Sequence, residues 1–236
     1  MSDLPSLLVG VPVLGRPQNA APLVANLCET TPSADVLFIC SPGDNDEIEA
    51  CVAVTLEQDT EGFLVTGWEP GPADFARKQN AGYEYAVTNG YDFYFCGADD
   101  LRFQSDWYLR ALIAQGKREA CVVGTNDLHN QNVIKGWYAT HFLVHRDYLA
   151  CGGVVDDPTK LLCELYDHQA VDLEFCGTAR WRRTYVHAFD SRVEHLHPHW
   201  RLAEMDDTYT KALRATQEDQ ALYMSRRHLW NDGRPG

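Results

Sequence analysis

Residues 91–100 read Tyr91-Asp92-Phe93-Tyr94-Phe95-Cys96-Gly97-Ala98-Asp99-Asp100. A short, aromatic-rich apolar run passes through a glycine into two adjacent carboxylates. The run is too short for a helix and predicts a buried strand over 91–96. Just before it, Asp74–Thr88 carries a helical pattern, with Asp74 expected as N-cap and Asn89-Gly90 as the stop. Further back the same alternation repeats. Phe63–Thr66 predicts a strand and Glu47–Leu56 a helix. Val36–Cys40 predicts a strand closed by Ser41-Pro42-Gly43. Gln18–Cys28 predicts a helix opened by the Gly15-Arg16-Pro17 turn, and Leu7–Val13 the first strand. The order β-α-β-α-β-α-β predicts an α/β fold with a mostly parallel central sheet flanked by helices. Ligands of such sheets bind beyond the carboxyl ends of the strands. Residues 12–16, 41–46 and 97–102 are therefore candidate site loops.

After residue 100 the pattern is less regular. Helices are predicted over Ser105–Gln115 and Leu161–Cys176, and a long polar one over Asp207–Leu229. Strands are predicted over Cys121–Gly124, Trp137–His145 and Arg183–Ala188. No repeat or linker divides the 236 residues, so one compact unit is expected.

The chain is 45% hydrophobic and 23% charged, an ordinary globular composition with enough apolar material for one sizeable core. No apolar run approaches the roughly 20 residues that span a bilayer. Met1-Ser2-Asp3-Leu4-Pro5 lacks the basic opening of a signal peptide, which favours a cytoplasmic setting. A formal net charge of −14 disfavours general affinity for nucleic acid, which draws on Lys and Arg. The eight cysteines show no CxxC pair, and Cys40, Cys96, Cys121 and Cys176 sit in apolar runs. They are expected as small buried thiols rather than as a zinc site.

Asp99 and Asp100 set the chemistry. Side-by-side carboxylates repel, and neither is buried cheaply without a partner. A divalent cation resolves that conflict: Mg2+ or Mn2+ takes one or two carboxylates plus substrate phosphates. A solvated turn is the other reading, since Asp-Asp is common in turns. Arg77 and Lys78 lie near a helix start, where cationic side chains and free N–H groups suit a diphosphate or a base carbonyl. Residues 41–70 carry eight acidic side chains and no Lys or Arg; most read as a solvated face, with Asp44 at a strand end the exception. His195, His197 and His199 alternate, so an extended segment would present them on one face. His168 and Asp172 are four apart and share a face of the predicted helix. Arg180, Arg182 and Arg183 either steer a phosphate or an anionic acceptor or pair with the protein's own acidic residues. Trp137, Tyr138, Trp181 and Trp200 are more readily core than sugar platforms.

The segment Gly97-Ala98-Asp99-Asp100 resembles the "DxD" region of inverting family-2 GT-A glycosyltransferases, where an apolar strand runs into a stretch such as D-A-D-D; Gly97 stands where that pattern has its first Asp. Val9–Pro17 is similar to the family's opening strand and nucleobase loop, and Phe38–Asp44 to its second-strand acidic loop. Arg77-Lys78-Gln79-Asn80-Ala81-Gly82 resembles its "R-N-x-G" segment. His168…Asp172-Leu173-Glu174 and Val193–Pro198 are similar to bacteriophage and actinobacterial members. The resemblance covers about residues 7–200.

It implies a GT-A fold, with residues 1–104 as the nucleotide-sugar half, 105–200 as the acceptor and catalytic half, and 201–236 as a C-terminal helix. It implies a metal-dependent, inverting transfer from a nucleotide sugar, foremost a UDP-sugar, with Mn2+ or Mg2+ as cofactor. Pro12, Arg16, Asp44, Arg77, Lys78, Asn80 and Asp99 would hold the donor. Asp100 and His197 would hold the metal, with His195 the alternative histidine. Asp172 is the first choice of base, ahead of Asp167, His168 and Glu174; Gln169 and Ala170 stand where the family has Glu-Asp. The acceptor would be a virion protein, a modified DNA base or a glycan. Two rival readings are a nucleotidyltransferase, poorly matched by Val13–Pro17, and a non-catalytic nucleotide-sugar-binding module.

Overall fold

The computed structural model describes residues 4–58, 60, 62–117 and 121–230. The N-terminal Met1-Ser2-Asp3, the acidic Asp59 and Glu61, and the end of the expected C-terminal segment (231–236) lie outside the described residues.

The first half follows the predicted alternation: β1 (Leu7–Pro12), α1 (Ala20–Thr30), β2 (Ala34–Cys40), α2 (Asn45–Gln58), β3 (Gly62–Val65), α3 (Asp74–Thr88) and β4 (Phe93–Cys96). Then come β5 (Leu101–Phe103), α4 (Trp107–Gly116), β6 (Val122–Asn126), α5 (Gln131–Ile134), β7 (Phe142–His145), α6 (Val171–Trp181), β8 (Tyr185–His195), α7 (Asp207–Arg214) and α8 (Thr216–Arg226). The described strands form one sheet in the order β3-β2-β1-β4-β7-β6-β8-β5. β1 to β4 run parallel, β7 runs against both β4 and β6, β8 lies parallel to β6, and β5 runs against β8. Six strands thus share one direction, a mostly parallel sheet.

Helices cover both faces. Leu23, Leu27, Cys51 and Trp107 close one core over Val9, Phe38 and Phe95. Ala76, Tyr83 and Phe175 close the other over Leu8, Tyr94 and Phe142. A β-carbon on Gly10 or Gly82 would fall 1.8 or 2.3 Å from the Tyr94 hydroxyl. Both positions are therefore bare so that α3 can settle on β1 and β4 with that phenol between them.

Several expectations are corrected. Asp74 is the first residue of α3 rather than its N-cap; Ala73 precedes it in a left-handed conformation, and Asp74 instead accepts from Trp68 Nε1 at 2.9 Å and pairs with Lys78. The predicted helix Leu161–Cys176 begins only at Val171. The N–H groups of Asp167, His168 and Gln169 donate to the Asp219 carboxylate of α8 at 2.8, 2.9 and 2.6 Å, not to carbonyls four residues back, and Ala170 has a φ of 63°. His168 and Asp172 therefore do not share a helix face. The predicted strand Trp137–His145 shortens to its last four residues, and Trp137 and Trp181 are exposed rather than core. The long C-terminal helix is two, meeting at Ala215. Tyr209 of the first reaches Asp100, and Asp219 of the second reaches the segment before α6.

The expected pairing of the Arg180–Arg183 cluster with acidic residues is replaced at two positions by backbone contacts: Arg180 donates to the Gly136 carbonyl over the Tyr185 ring, and Arg182 to the carbonyls of Gly152 and Gly153, while Arg183 is exposed. Cys40, Cys96 and Cys176 are buried, Cys121 is half-buried, and all are free thiols.

Candidate active site

The carboxyl ends of β1, β2 and β4 converge, and buried polar side chains fix the loops leaving them. Lys78 of α3 is 1% exposed; its ammonium donates to the Val13 carbonyl at 2.8 Å and pairs with Asp74 at 2.8 Å. Its neighbour Gln79 donates to the Gly97 carbonyl at 2.8 Å and accepts from Tyr94 at 2.5 Å. One helical turn thus holds both the β1 and β4 loops. From the other side, Asp44 accepts the Gly15 N–H at 2.7 Å and buried Glu47 accepts the Arg16 N–H at 2.5 Å. Burial raises the Glu47 pKa, and the bond from Arg16 works against that rise.

This frame delivers Arg16 to the carboxylate pair. Its Nη1 lies 3.2 Å from Asp99 Oδ1 and 3.8 Å from Asp100 Oδ2. Asn19 donates to the second oxygen of Asp99 at 3.1 Å. Asp100 Oδ2 accepts the Tyr209 phenol at 2.6 Å and lies 3.3 Å from His195 Nε2. Asp100 Oδ1 is buried with no hydrogen-bond partner among the described residues. The two carboxyls titrate apart. Burial, and then the charge of Asp100, raise Asp99. Burial also opposes ionisation of Asp100, but His195 and the bonds it accepts hold it well below the usual carboxylate range. The solvated-turn reading is therefore overturned: the two residues are 8% and 7% exposed.

The C-terminal segment closes this cluster. Asp206 accepts from Arg16 Nε at 2.7 Å and Nη2 at 3.1 Å, while the Tyr209 ring lies 3.8 Å from the guanidinium carbon. A cleft of about 500 Å³ opens beside it, lined by Asn19, Asp99, Asp100, Leu196 and Met205.

Of the sequence candidates, Arg16, Asp99 and Asp100 come together, and half-buried Pro12 and Asp44 stand at adjoining strand ends. Arg77 lies 4.4 Å over the Trp68 ring on the β3 side of the same edge. Lys78 and Asn80 turn inward and support loops. Asn80 donates to the Leu162 carbonyl and to Glu164 at 3.0 and 2.8 Å and accepts the Leu162 N–H at 2.8 Å, because its helix face is covered by the 161–169 segment.

The alternating histidines divide. His195 meets Asp100. His197 instead caps the following turn, accepting the His199 N–H at 3.1 Å, with its ring 5.0 Å from that of His195. His199 is exposed. Burial, and then His195, push His197 down to about 4.

Asp172 stands in the first turn of α6; burial raises its carboxyl to about 6, backbone hydrogen bonds and the charge of His195 oppose that rise, and the charge of Asp127 adds to it. Of its alternatives, Glu174 is engaged elsewhere, buried against Arg226 and Tyr166, while Asp167 and His168 are fastened to Asp219 through their backbone N–H groups.

Sequence reasoning missed His141, Asp206, Tyr209 and Asp127. Asp127 caps the turn after β6, accepting from His129 and Asn130 at 3.1 and 2.9 Å. None of the four carries a local signal; only the fold brings them here.

Among the described residues no three His, Cys, Asp or Glu side chains form a ready-made metal cage. The donor set still fits a hard cation. Mg2+ and Mn2+ sites commonly use one or two protein ligands and take the rest from phosphate and water, and Asp100 offers one carboxylate oxygen with no partner among the described residues.

No protein-family model matches this sequence, and no curated protein sequence does. Solved structures do match. The mannosyltransferase PcManGT from Pyrobaculum calidifontis, in complex with GDP-Man and Mn2+, superposes with a TM-score of 0.69 at 13% identity, over 100% of this chain and 67% of that one. S. aureus TarS 1-349 in complex with UDP-GlcNAc superposes with a TM-score of 0.60 at 12% identity, over 94% of this chain and 72% of that one. At these identities the likeness is one of fold: the chain has a GT-A-type α/β fold.

Proposed function

We propose that this chain is a glycosyltransferase moving a hexosyl or pentosyl group, with inversion, from a nucleotide sugar to an acceptor hydroxyl. One observation carries the reading. A buried carboxylate pair ends the fourth strand of a GT-A-type sheet, and one oxygen of Asp100 is unpartnered. The structural neighbours support it, since they were solved with GDP-Man and Mn2+ or with UDP-GlcNAc. A UDP-sugar is the first donor to test.

Pro12, Asp44 and Arg77, stacked on Trp68, line the edge where the base binds. Asp99 and Arg16 orient ribose and diphosphate, and Lys78, Gln79 and Asn80 hold the loops beneath. Asp100, with a histidine of the His195–His197 pair, holds a divalent cation. When bound, that cation acts as a Lewis acid that offsets charge on the leaving diphosphate. Asp172 takes the acceptor's hydroxyl proton while the acceptor oxygen bonds to the anomeric carbon and the bond from that carbon to the diphosphate oxygen breaks. Its raised pKa suits a group that must gain a proton and lose it again near neutrality.

The test is a thermal-shift panel of UDP- and GDP-sugars with and without Mn2+, followed by assay of nucleoside diphosphate release. Stabilisation by at least one donor, and release that chelation or Asp100→Ala abolishes, is expected. A chain that no nucleotide sugar stabilises and that releases no diphosphate overturns the proposal.

A further inference from the structure

His141 immediately precedes β7, whose first residue, Phe142, pairs with Cys96 at the end of β4. It therefore lies beside the loop that carries Asp99 and Asp100. Its side chain is 5% exposed. Nδ1 stands 3.2 Å from the Cys96 carbonyl oxygen. A carbonyl only accepts, so Nδ1 carries the proton and Nε2 presents a bare lone pair. That Nε2 is buried with no hydrogen-bond partner among the described residues.

Asp100 Oδ1 is in the same condition. Both orphans flank one imidazole: His195 Nε2 is 3.3 Å from the other oxygen of Asp100, and the His195 ring centroid lies 5.0 Å from that of His141. Both are acceptors. An anion would add a third acceptor and satisfy neither, whereas a cation satisfies both. A buried polar atom left without a partner costs about 1–3 kcal/mol, so two such acceptors around one imidazole point to an intended occupant. The anchoring of Nδ1 supports this, because metal-binding histidines characteristically donate their other ring N–H to a carbonyl or carboxylate that fixes the tautomer.

We propose that His141 Nε2 and Asp100 Oδ1 are joint ligands of a divalent cation, and that the imidazole biases the site toward Mn2+ over Mg2+. This deepens the donor-site reading and rests on its Asp100 ligand, with His141 taking the place given there to a histidine of the His195–His197 pair. Both cations favour oxygen ligands, but the transition ion Mn2+ accepts an imidazole more readily than Mg2+, which holds to oxygen and water. Two protein ligands leave the remaining positions to phosphate oxygens and water, in keeping with the lack of a three-residue cage among the described residues.

The test measures Mn2+ binding to the full chain by electron paramagnetic resonance, with UDP and separately with GDP present. Pulsed spectra then report any nitrogen bonded to the metal. His141→Asn is the informative variant. Its amide can still donate to the Cys96 carbonyl, while the atom at the Nε2 position is gone. The wild type should show a directly bonded nitrogen. His141→Asn should lose it and bind Mn2+ at least about tenfold more weakly, the lower end of what metal-site substitutions cost. The preference for Mn2+ over Mg2+ should shrink with it.

Should His141→Asn fail to fold, judged by a metal-free melt, His195→Asn and His197→Asn answer the same question: the nitrogen signal should persist in both. Loss of the signal in either one, or an unchanged signal and affinity in His141→Asn, overturns the assignment. In that case Mn2+ binding that still depends on Asp100 leaves the donor-site reading standing. A wild type that binds UDP or GDP but never Mn2+ overturns the cation in both.

Discussion

Tyr209 donates its phenolic hydrogen to Asp100 Oδ2 at 2.6 Å, across 109 residues of chain. The bond joins the C-terminal helices to the strand-end carboxylates, and the same ring covers the Arg16 guanidinium. A hydrogen bond to a buried charge is worth about 1.5–3 kcal/mol. Tyr209→Phe keeps the stacking and removes the bond. It should lower the unfolding free energy by about that amount in urea titrations at pH 7, with an unchanged m-value. A loss within measurement error would mean that the phenol is not bonded in solution.

Asn80 gives a sharper separation of scaffold from site. Its amide serves the Leu162 N–H, the Leu162 carbonyl and Glu164 at once. Asn80→Ala leaves two backbone groups without partners, at about 1–3 kcal/mol each before relaxation. The variant should melt earlier, yet below its transition it should bind nucleotide with the affinity of the wild type. A raised nucleotide Kd in a variant of unchanged stability would return Asn80 to the donor contacts that its motif implied.

That contrast shows how far the sequence is legible. The sheet could be read because apolar runs such as Leu7–Pro12 and Phe93–Cys96 are local, and their order dictates a parallel arrangement. Asp99, Asp100, Arg16 and Asp44 could be read because strand ends are where such sheets work. Lys78 could not be placed: a helix-start lysine is a cation by type, and only packing shows that its ammonium lies under the Val13 carbonyl. The 161–170 segment has apolar spacing that suits a helix, but Asp219, some 50 residues later, takes its N–H groups. His141 has no sequence signal, because what marks it is an absent partner.

Arg226 tests whether the C-terminal helices belong to the same folding unit. It forks between Glu174, at 2.8 Å on both oxygens, and Asp156, also at 2.8 Å on both. Glu174 is 3% exposed. Arg226→Ala strands that carboxylate, and breaking a buried pair from one side costs about 3–5 kcal/mol. Arg226→Met with Glu174→Gln removes both charges and should recover much of the loss. Denaturation of the single and double variants measures it, and equal losses in both would show that packing, not charge, holds α8.

Asp172 ties stability to chemistry through pH. Burial raises its carboxyl to about 6 from an ordinary 3.8. The folded chain thus holds this proton more tightly than the unfolded one. Its ionisation therefore weakens the fold as pH rises from 3.8 through 6, by up to about 3 kcal/mol at full ionisation. Asp172→Asn carries no charge to desolvate. It should be more stable than the wild type at pH 8 and converge with it below pH 4. A base must be ionised to act, so wild-type transfer should fall as pH drops through about 6. The Asn variant should bind nucleotide normally and transfer about 10²–10⁴-fold more slowly, the usual worth of a positioned base. The two effects have one cause, a carboxylate desolvated by burial at a cost to the fold. Over pH 4–8 the stability advantage of the Asn variant should therefore grow through the same range in which wild-type transfer rises. Slow transfer without added stability at pH 8 would mean that the carboxylate is solvated, and full transfer would move the base to another residue.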